Sequence, residues 1–414
     1  MTSTVNDSAT GRVTAGRAAA TSDGLPRAGL PRAGVPMVGV PTVGVPTVGV
    51  AATAVTTARS TPTTQRRDEP HDGDERVRLS VLDLAGVGVG TSVGATLAAT
   101  TELAIRAEQL GYHRFWVAEH HGLPAVASSA PAVLLAHLAA NTRSIRLGSG
   151  GVMLPNHAPM AIAEQFGTLA ALHPGRIDLG LGRAPGSDQL TAYALRRRMD
   201  GAGSEDFGDQ VAELEHFLRH DFPAEHPFSR IRTTPVSPVP LYILGSSDYG
   251  ARLAARLGLP FAFAHHFAGA GGNTEVALDI YRSQFQPSET LDEPYPMIGV
   301  TALAADTEAE ARFQAGAGAL SMVLLRTGRL QEIPTPEQAA EYPYSNAELE
   351  LVRAMGTTEV VGDGDQVAAG LRELVDRFGV SEMLITTRVH GAATRLRSFE
   401  LIAGAFVPTA RTGG

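Results

Sequence analysis

The chain of 414 residues contains no cysteine and no lysine. Without cysteine it cannot form disulfides, thiolate metal sites or a cysteine nucleophile, and the redox compartment stays open. Without lysine it cannot use a Schiff-base lysine or the lysine of a phosphate-binding loop. The 34 residues counted as lysine or arginine are therefore all arginine, and any anion must be bound by arginine, backbone or hydroxyl groups.

An excess of basic charge and a long apolar run are also missing. The net charge is -9 and the sequence pI is about 5.8, so no basic surface is predicted for nucleic acid. No apolar run approaches the roughly 20 residues that span a bilayer, so no membrane association is predicted. Prolines interrupt any secretory signal core near the start, which favours a cytoplasmic protein. The 43% hydrophobic content is sufficient for a sizeable core.

The first 75 residues are rich in Ala, Thr, Gly, Val and Pro and poor in large apolar side chains. Residues 34–50, "GVPMVGVPTVGVPTVGV", repeat a Val-Pro-x-Val-Gly unit. Frequent proline opposes helix and glycine opposes regular strand, so residues 1–75 are predicted to be a disordered low-complexity tail. An elastic or partner-binding tail and a translation start assigned too early are the alternatives. The folded domain is predicted over residues 76–408.

Residues 76–408 alternate short apolar runs with amphipathic helical stretches, which is typical of a parallel sheet with crossover helices. About eight strands in roughly 330 residues favour a (β/α)8 TIM barrel with insertions. The competing doubly wound sheet would place a glycine-rich dinucleotide fingerprint after its first strand, and "AGVGVGTSVG" lacks that spacing. The predicted strands are residues 78–84, 113–121, 145–155, 176–186, 240–247, 260–267, 297–305 and 382–390.

The predicted strands end in polar side chains, and barrel active sites lie at the carboxyl ends of strands. Histidines there indicate proton transfer or metal ligation. The histidines occur as HH pairs, and adjacent strand residues point to opposite faces, so each pair offers one inward ligand. No metal site is predicted. The polar residues are Asp83, Glu119, His120, His121, Gly150, Gly151, Asn156, His157, Arg183, Ser246, Ser247, His265, His266, Thr386 and Thr387.

An anionic organic cofactor is the other interpretation of these strand ends. Arg183 follows "LGLG", where small residues let a ligand approach the backbone. Ser246 and Ser247 open a helix whose free N–H groups suit a phosphate. The alternatives are ordinary helix capping by the serines and an ion pair of Arg183 with Asp178 or Asp188.

Four segments together resemble the bacterial luciferase-like flavin monooxygenase family. They are "FWVAEHH", "LGSGGVMLPNHAPMAIAEQF", "HPGRIDLGLGRAPGSD" and "YILGSSDYGARLAARLGLPFAFAHHF", and the resemblance covers about residues 78–405. It implies that reduced FMN and dioxygen oxygenate a small organic substrate. A separate flavin reductase would supply the reduced FMN, and a homodimer is expected. A deazaflavin-dependent dehydrogenase and a non-catalytic flavin-binding partner subunit are the alternatives on the same barrel.

The resemblance also assigns roles to residues. It places His120 beside the reacting flavin ring, where an imidazole can handle protons. It assigns binding of the flavin phosphate to Arg183 and to the segment Gly245, Ser246 and Ser247. Luciferase carries an acid at the position of Gly245.

The remaining cofactor contacts are expected from Glu119, whose alternative is a structural pairing with His121, and from Gly150–Gly151. The resemblance implies a non-prolyl cis peptide at Gly150–Gly151. The long connections 187–238 and 324–358 are expected to shape the substrate pocket; their candidate residues are Tyr193, Arg196, Phe207, Tyr342 and Tyr344.

Overall fold

The computed structural model describes residues 77–184, 189–196, 206–233, 239–268 and 272–406. The predicted tail, residues 1–75, lies outside this range. None of the described helices is both long and apolar enough to cross a membrane.

Eight parallel strands form a closed barrel, as predicted. The strands of the sheet are β1 (Arg78–Asp83), β2 (Arg114–Val117), β3 (Arg146–Met153), β4 (Ile177–Gly182), β5 (Leu241–Gly245), β6 (Phe261–Phe263), β7 (Pro296–Ala305), β8 (Glu359–Asp363) and β9 (Glu382–Thr386). The barrel order is β6-β5-β4-β3-β2-β1-β9-β7, and pairing of β6 with β7 closes the ring. The ninth strand, β8, pairs with the second half of β7 and was not predicted.

Helices connect the strands and cover the barrel. Side-chain capping fixes several helix starts: the Ser92 hydroxyl accepts from Ala95 N at the start of the first helix. The helices are α1 (Val93–Gln109), α2 (Pro131–Asn141), α3 (Pro159–Leu172), α4 (Gln189–Arg196), α5 (Phe207–Arg219), α6 (Asp248–Leu257), α7 (Thr274–Gln284), α8 (Glu308–Arg326), α9 (Pro336–Glu341), α10 (Asn346–Gly356), α11 (Gly364–Phe378) and α12 (Ala392–Phe406).

Two predicted strands are shorter than expected. The second strand ends at Val117 rather than continuing to His121, and the backbone N–H of His120 turns to the carbonyl of Ser128 at 3.0 Å. The sixth strand ends at Phe263, and a 3₁₀ turn over His265–Phe267 follows it. The histidine pairs therefore lie on the connections just beyond the strands, where side chains no longer alternate strictly between two faces.

The core has two parts because strand side chains alternate between the helices and the barrel interior. The larger part packs the strands against the helices. Inside the barrel, apolar side chains that include Leu82, Trp116 and Met297 form the smaller part. Below them, a buried charged cluster, defined by Arg114, Asp178 and Glu382, fills the amino end of the barrel. The carboxyl ends of the strands are thereby left for ligands.

Candidate active site

The pairing of the strands brings the predicted site residues to one end of the barrel. Met153 at the end of β3 pairs with Gly182 of β4, and Gly182 pairs with Leu244 of β5. The residues that follow β2, β3, β4 and β5 consequently lie at neighbouring strand ends. His120, Gly150–Gly151, Arg183 and Gly245–Ser247 belong to these four ends, as the sequence predicts.

Glu119 ties the end of β2 to the end of β3. Its side chain is fully buried, and its carboxylate accepts from His121 Nε2 and His157 Nε2, each at 2.8 Å, and from the backbone N–H of Met153 at 3.1 Å. Burial alone would raise the pKa of Glu119, but these donors, His157 foremost, hold it below its usual value. The predicted pairing with His121 is confirmed. A cofactor contact of Glu119 stays a prediction.

His120 lies next to this carboxylate and has a free ring nitrogen. Its Nδ1 is buried and has no hydrogen-bond partner among the described residues. Burial lowers the pKa of His120, and the neighbouring Glu119 carboxylate offsets only part of that effect. The imidazole is therefore neutral near pH 7, and one polar atom stands ready for a ligand or a proton.

Gly150 and Gly151 sit where the backbone of β3 leaves no room for a side chain. The peptide bond between them is cis, as predicted. A Cβ at Gly150 would lie 2.5 Å from Leu82 Cδ1, and a Cβ at Gly151 would lie 2.8 Å from the carbonyl oxygen of Gly180. The second contact is with backbone, which cannot easily move. Both positions of β3 therefore require glycine.

Arg183 follows β4 and extends over an aromatic ring of the next helix. Its guanidinium carbon lies 4.1 Å from the ring centroid of Tyr249 in α6, a cation–π contact. Asp178, one of its two expected partners, instead pairs with Arg114 and Arg146. The predicted ion pair of Arg183 with Asp178 is therefore wrong, because the Asp178 carboxylate belongs to the charged cluster at the other end. Asp188 lies outside the described residues.

The segment after β5 leads directly into α6. Ser246 is exposed and Ser247 is the N-cap residue of α6. Within residues 239–268, the Ser247 hydroxyl accepts no hydrogen bond from the first turn, so ordinary side-chain capping is not what holds it. A Cβ at Gly245 would meet its nearest neighbour, the Cα of Gly250, at 3.6 Å. That is an ordinary contact, and the position would accept a side chain.

The second histidine pair is held by the protein itself. His265 is buried and its Nδ1 lies 2.9 Å from Thr274 Oγ1, while its ring packs edge-on against Phe378. The Nδ1 of His266 donates to the carbonyl of Gly299 at 2.9 Å. Burial lowers the pKa of both histidines to about 4. Both rings are neutral at physiological pH, and His265 has a structural role.

An apolar cavity of about 110 Å³ lies beside His120. A cavity of that size holds a small organic group rather than a single water. Its apolar walls come from the end of β1, the connection after β2, the 3₁₀ turn after β6, helix α8 and the segment that follows α8; they include Leu84, Val126, Phe267, Met322, Leu325 and Ile333. Its polar walls are Asp83, His120, Ser321, Gln331, Thr387 and Arg388.

The segment after α8 is fixed to the connection after β1. The backbone N–H of Ile333 donates to the carbonyl of Val87 at 2.8 Å, and Val89 N–H donates to the carbonyl of Ile333 at 2.9 Å. Four residues of this segment line the cavity, and Ile333 is held in place by these bonds; the four are Leu325, Leu330, Gln331 and Ile333. The expectation that the connection 324–358 shapes a pocket agrees with this position.

The named aromatic candidates do not line the cavity. Tyr342 and Tyr344 pack against a small cluster formed by α8 and α9, and Phe207 is a core residue. Tyr193 is partly exposed, and the side chain of Arg196 lies outside the described residues. The residues that sequence reasoning missed are Tyr249 and Arg388. Their role depends on partners in other elements, and no local pattern indicates them.

The protein is a (β/α)8 barrel with polar side chains at the carboxyl ends of its strands, and a sequence comparison assigns the family. A model of the luciferase-like monooxygenase family matches residues 77–382. Because this is more than half of the chain, the protein belongs to the luciferase-like monooxygenase family. Its predicted fold and family are thus confirmed.

Two relatives and one solved structure share much of the sequence. A luciferase-like monooxygenase of Escherichia coli (strain K12) is 44% identical over 330 residues, 79% of this chain and 96% of the relative. The N-acetyl-S-alkylcysteine monooxygenase of Bacillus subtilis (strain 168) is 37% identical over 337 residues, 81% of this chain and 100% of the relative. The crystal structure of apo-MsnO8 is 36% identical with a TM-score of 0.72, covering 80% of this chain and 98% of that one.

Two more distant structures share the fold alone. The FMN complex of the oxygenating constituent of 3,6-diketocamphane monooxygenase from Pseudomonas putida is 18% identical with a TM-score of 0.60, covering 80% of this chain and 99% of that one. An F420-dependent secondary alcohol dehydrogenase is 14% identical with a TM-score of 0.59, with the same coverage. Proteins with this fold therefore include one in complex with FMN and one that depends on the deazaflavin F420.

Proposed function

We propose that the protein is an FMN-dependent monooxygenase, the oxygenase half of a two-component system. A separate flavin reductase would supply reduced FMN, and a small organic molecule would be the substrate. The observation that carries the proposal is the arrangement at neighbouring strand ends, where Arg183 and the start of α6 offer an anion site and His120 offers a free imidazole nitrogen.

The residues present fit such a cofactor. Arg183 and the segment Gly245–Ser247 would hold the phosphate, because a cation and the N–H groups of a helix start both favour an anion. Gly150–Gly151 would lie against the ring system with no side chain in the way, and Glu119 would hold the ends of β2 and β3 in position. Bound reduced FMN supplies the activation of dioxygen.

His120 would hold or move a proton at Nδ1. A neutral imidazole with one unpartnered, buried nitrogen can accept a proton and return it without first breaking a protein hydrogen bond. The cavity beside it would place an organic substrate within reach of the same site. A non-catalytic flavin-binding subunit would have no use for the unpartnered nitrogen of His120.

A binding experiment with both cofactors tests the proposal. Purified protein is titrated with FMN and, separately, with the deazaflavin F420, and binding is followed by fluorescence. We expect saturable FMN binding, and oxidation of an added organic substrate only when reduced FMN and dioxygen are both present. Tight F420 binding without FMN binding would instead support the dehydrogenase.

We also propose a cytoplasmic homodimer that works with a flavin reductase. The chain offers no dinucleotide fingerprint after β1, so a partner must reduce the flavin. Light scattering of the purified protein gives the mass that tests the dimer.

A further inference from the structure

One polar group on the cavity wall has an unused hydrogen-bond donor. Arg388, which follows β9, lines the cavity, and one of its terminal nitrogens donates to Glu359 Oε1 at 2.9 Å and to Thr301 Oγ1 at 3.2 Å. Its Nε–H is buried, and neither Nε nor the second terminal nitrogen, Nη1, has a hydrogen-bond partner within the described part of the chain. The guanidinium therefore keeps donor capacity that the protein does not use, and a ligand in the cavity can supply an acceptor.

Both residues that carry a full charge on the cavity wall are paired within the protein. Arg388 is paired with Glu359, and the Asp83 carboxylate is paired with Arg395 at 2.8 Å. Asp83 accepts from Thr100 Oγ1 at 2.6 Å as well. A charged ligand group would therefore be buried without a counter-ion, which is expensive in an apolar space.

The rest of the lining selects by shape and apolar contact. Apolar side chains form most of the wall, and its remaining polar groups include the hydroxyl of Ser321 and the amide of Gln331. The volume of about 110 Å³ suits a compact group, such as one small ring or a short branched chain.

Resting on the proposed function, we propose that this cavity is the substrate site. It takes a neutral, largely apolar molecule with one acceptor oxygen, such as a carbonyl, and that oxygen accepts a hydrogen bond from the guanidinium of Arg388. Arg388 is then the residue that determines specificity: it orients the substrate from the wall formed after β9, with His120 on the wall formed after β2. Carboxylates and amines of the same shape are rejected.

Matched probes test the proposal without any cofactor. Cyclohexanone, its isostere methylenecyclohexane, cyclohexanecarboxylate and cyclohexylamine are titrated into the full chain, and binding is followed by ligand-observed NMR. We expect the two neutral probes to bind and the two charged probes not to bind. Binding of the carboxylate as tight as that of the ketone would overturn the proposal.

A double variant isolates the Arg388 contact. Arg388→Met with Glu359→Gln removes both partners of the ion pair, so neither is left buried and charged. The measured quantity is the ratio of the dissociation constants of methylenecyclohexane and cyclohexanone, since solvation of each probe is the same for every protein. We expect this ratio to fall about 10-fold in the double variant, the loss of one hydrogen bond to a charged group, and to be unchanged in the control Ser321→Ala. A fall in the control alone would show that the ketone oxygen accepts its hydrogen bond from the Ser321 hydroxyl, and would overturn the role of Arg388.

Two further measurements keep the test decisive if the double variant fails to fold. In the wild-type protein, the infrared carbonyl stretch of bound carbonyl-¹³C cyclohexanone is expected below its value in an alkane solvent, and an unshifted band would overturn the hydrogen bond. Met322→Trp fills the cavity and leaves the ion pair intact, so it should abolish binding of both neutral probes. Unchanged binding would place the probes elsewhere and overturn the site.

The same experiments separate this inference from the proposed function. Probe binding with the expected selectivity but no FMN binding would contradict the oxygenase proposal and support the cavity. FMN binding without probe binding would do the reverse. Direct competition between FMN and cyclohexanone would show that the cofactor occupies the cavity, and would overturn the substrate assignment.

Discussion

At the scale of single residues, Arg183 and His120 are held in position by different kinds of contact. Arg183 lies over the Tyr249 ring, which orients its guanidinium without using its hydrogen-bond donors. His120 is held through its backbone, whose N–H donates to Ser128, and its ring keeps a free nitrogen. Each group is positioned by contacts that leave its functional atoms available.

Replacing Arg183 by alanine should weaken FMN binding by about 1–3 kcal/mol, the range for loss of a charge-assisted hydrogen bond. Fluorescence titration of FMN measures the change. Arg252→Ala is the matched control, because Arg252 is an exposed arginine on the nearby helix α6, where it pairs with Asp248 at 3.6 Å and donates to Gln284 at 3.2 Å. An equal loss in both variants would mean that general surface charge, and not a phosphate contact, supports binding.

Replacing His120 by alanine should leave FMN affinity unchanged and slow substrate oxygenation by roughly 100-fold, the usual size of a general acid–base contribution. Because burial lowers the pKa of His120, the ring is neutral at pH 7 and becomes charged only in acid. The wild-type rate should therefore fall as the pH drops through this lowered pKa, and the variant should lack that fall. His137→Ala, an exposed histidine on α2, should behave as wild type.

The sequence shows which chemical groups stand at the strand ends, but not what each one touches. The pair Glu119–His121 could be predicted because the two residues are adjacent along one short segment. The Glu119–His157 and Arg183–Tyr249 contacts join residues 38 and 66 positions apart, and only the folded barrel brings them together. Arg388 was missed for the same reason, since the cavity that it lines is formed by segments far apart in the sequence.

At the scale of the elements, one carboxylate on α1 fixes the connection between α2 and β3. Glu108 Oε1 accepts from the backbone N–H groups of Arg143, Ser144 and Ile145 and from the Ser144 hydroxyl. Burial alone would raise the pKa of Glu108, but these four donors lower it to about 2. The connection leads into β3, the strand that carries Gly150–Gly151, so its anchoring positions part of the site.

Replacing Glu108 by glutamine should lower the free energy of unfolding by about 1 kcal/mol at pH 7, a value kept small because the side chain is partly solvated. A carboxyl whose folded pKa is depressed stabilises the fold above its unfolded pKa and loses this effect as the pH falls. The difference from wild type should therefore shrink between about pH 4.5 and pH 2. Urea unfolding at several pH values measures it, and Glu102→Gln, exposed on the same helix, should show no difference.

The eight barrel strands could be predicted because buried parallel strands are nearly continuous apolar runs between turn residues. The sequence of β8, "EVVGD", is short, polar at both ends and only partly buried, so its pattern does not separate it from a loop. It pairs along the extra length of β7, which no local signal predicts. Strand ends were the least predictable feature, as β2 and β6 show.

At the scale of the whole molecule, the charged cluster at the amino end of the barrel joins strands that are far apart in sequence. Arg114 of β2 donates to Glu382 of β9 and to Asp178 of β4, each at 2.9 Å, and to the Tyr242 hydroxyl of β5 at 2.5 Å. Ser80 of β1 also donates to Glu382, at 2.5 Å. The guanidinium of Arg114 thus links strand β2 to strands β4, β5 and β9 in the buried interior of the barrel.

Replacing Arg114 by methionine should lower the free energy of unfolding by about 3–5 kcal/mol, because it leaves buried carboxylates without their main partner. Arg353→Met is the matched control: Arg353 and Glu350 form an exposed pair, and its loss should cost less than about 1 kcal/mol. Chemical denaturation of the three proteins gives the comparison. Similar losses in both variants would contradict a special role for the buried cluster.

The pH dependence of the stability lost in Arg114→Met shows whether the loss comes from broken ion pairs or from lost packing. Burial alone would raise the pKa of Glu382 and of Asp178, but Arg114 holds both below their usual values in the wild type. Their contribution is thus present above the unfolded pKa and is lost as the pH falls through the folded pKa. In the variant the unpaired Glu382 should protonate more readily, and a neutral acid is far less costly to bury than an ion. The difference in the free energy of unfolding between wild type and variant should therefore be largest near pH 7 and decrease on acidification. A difference caused only by lost packing would stay constant with pH.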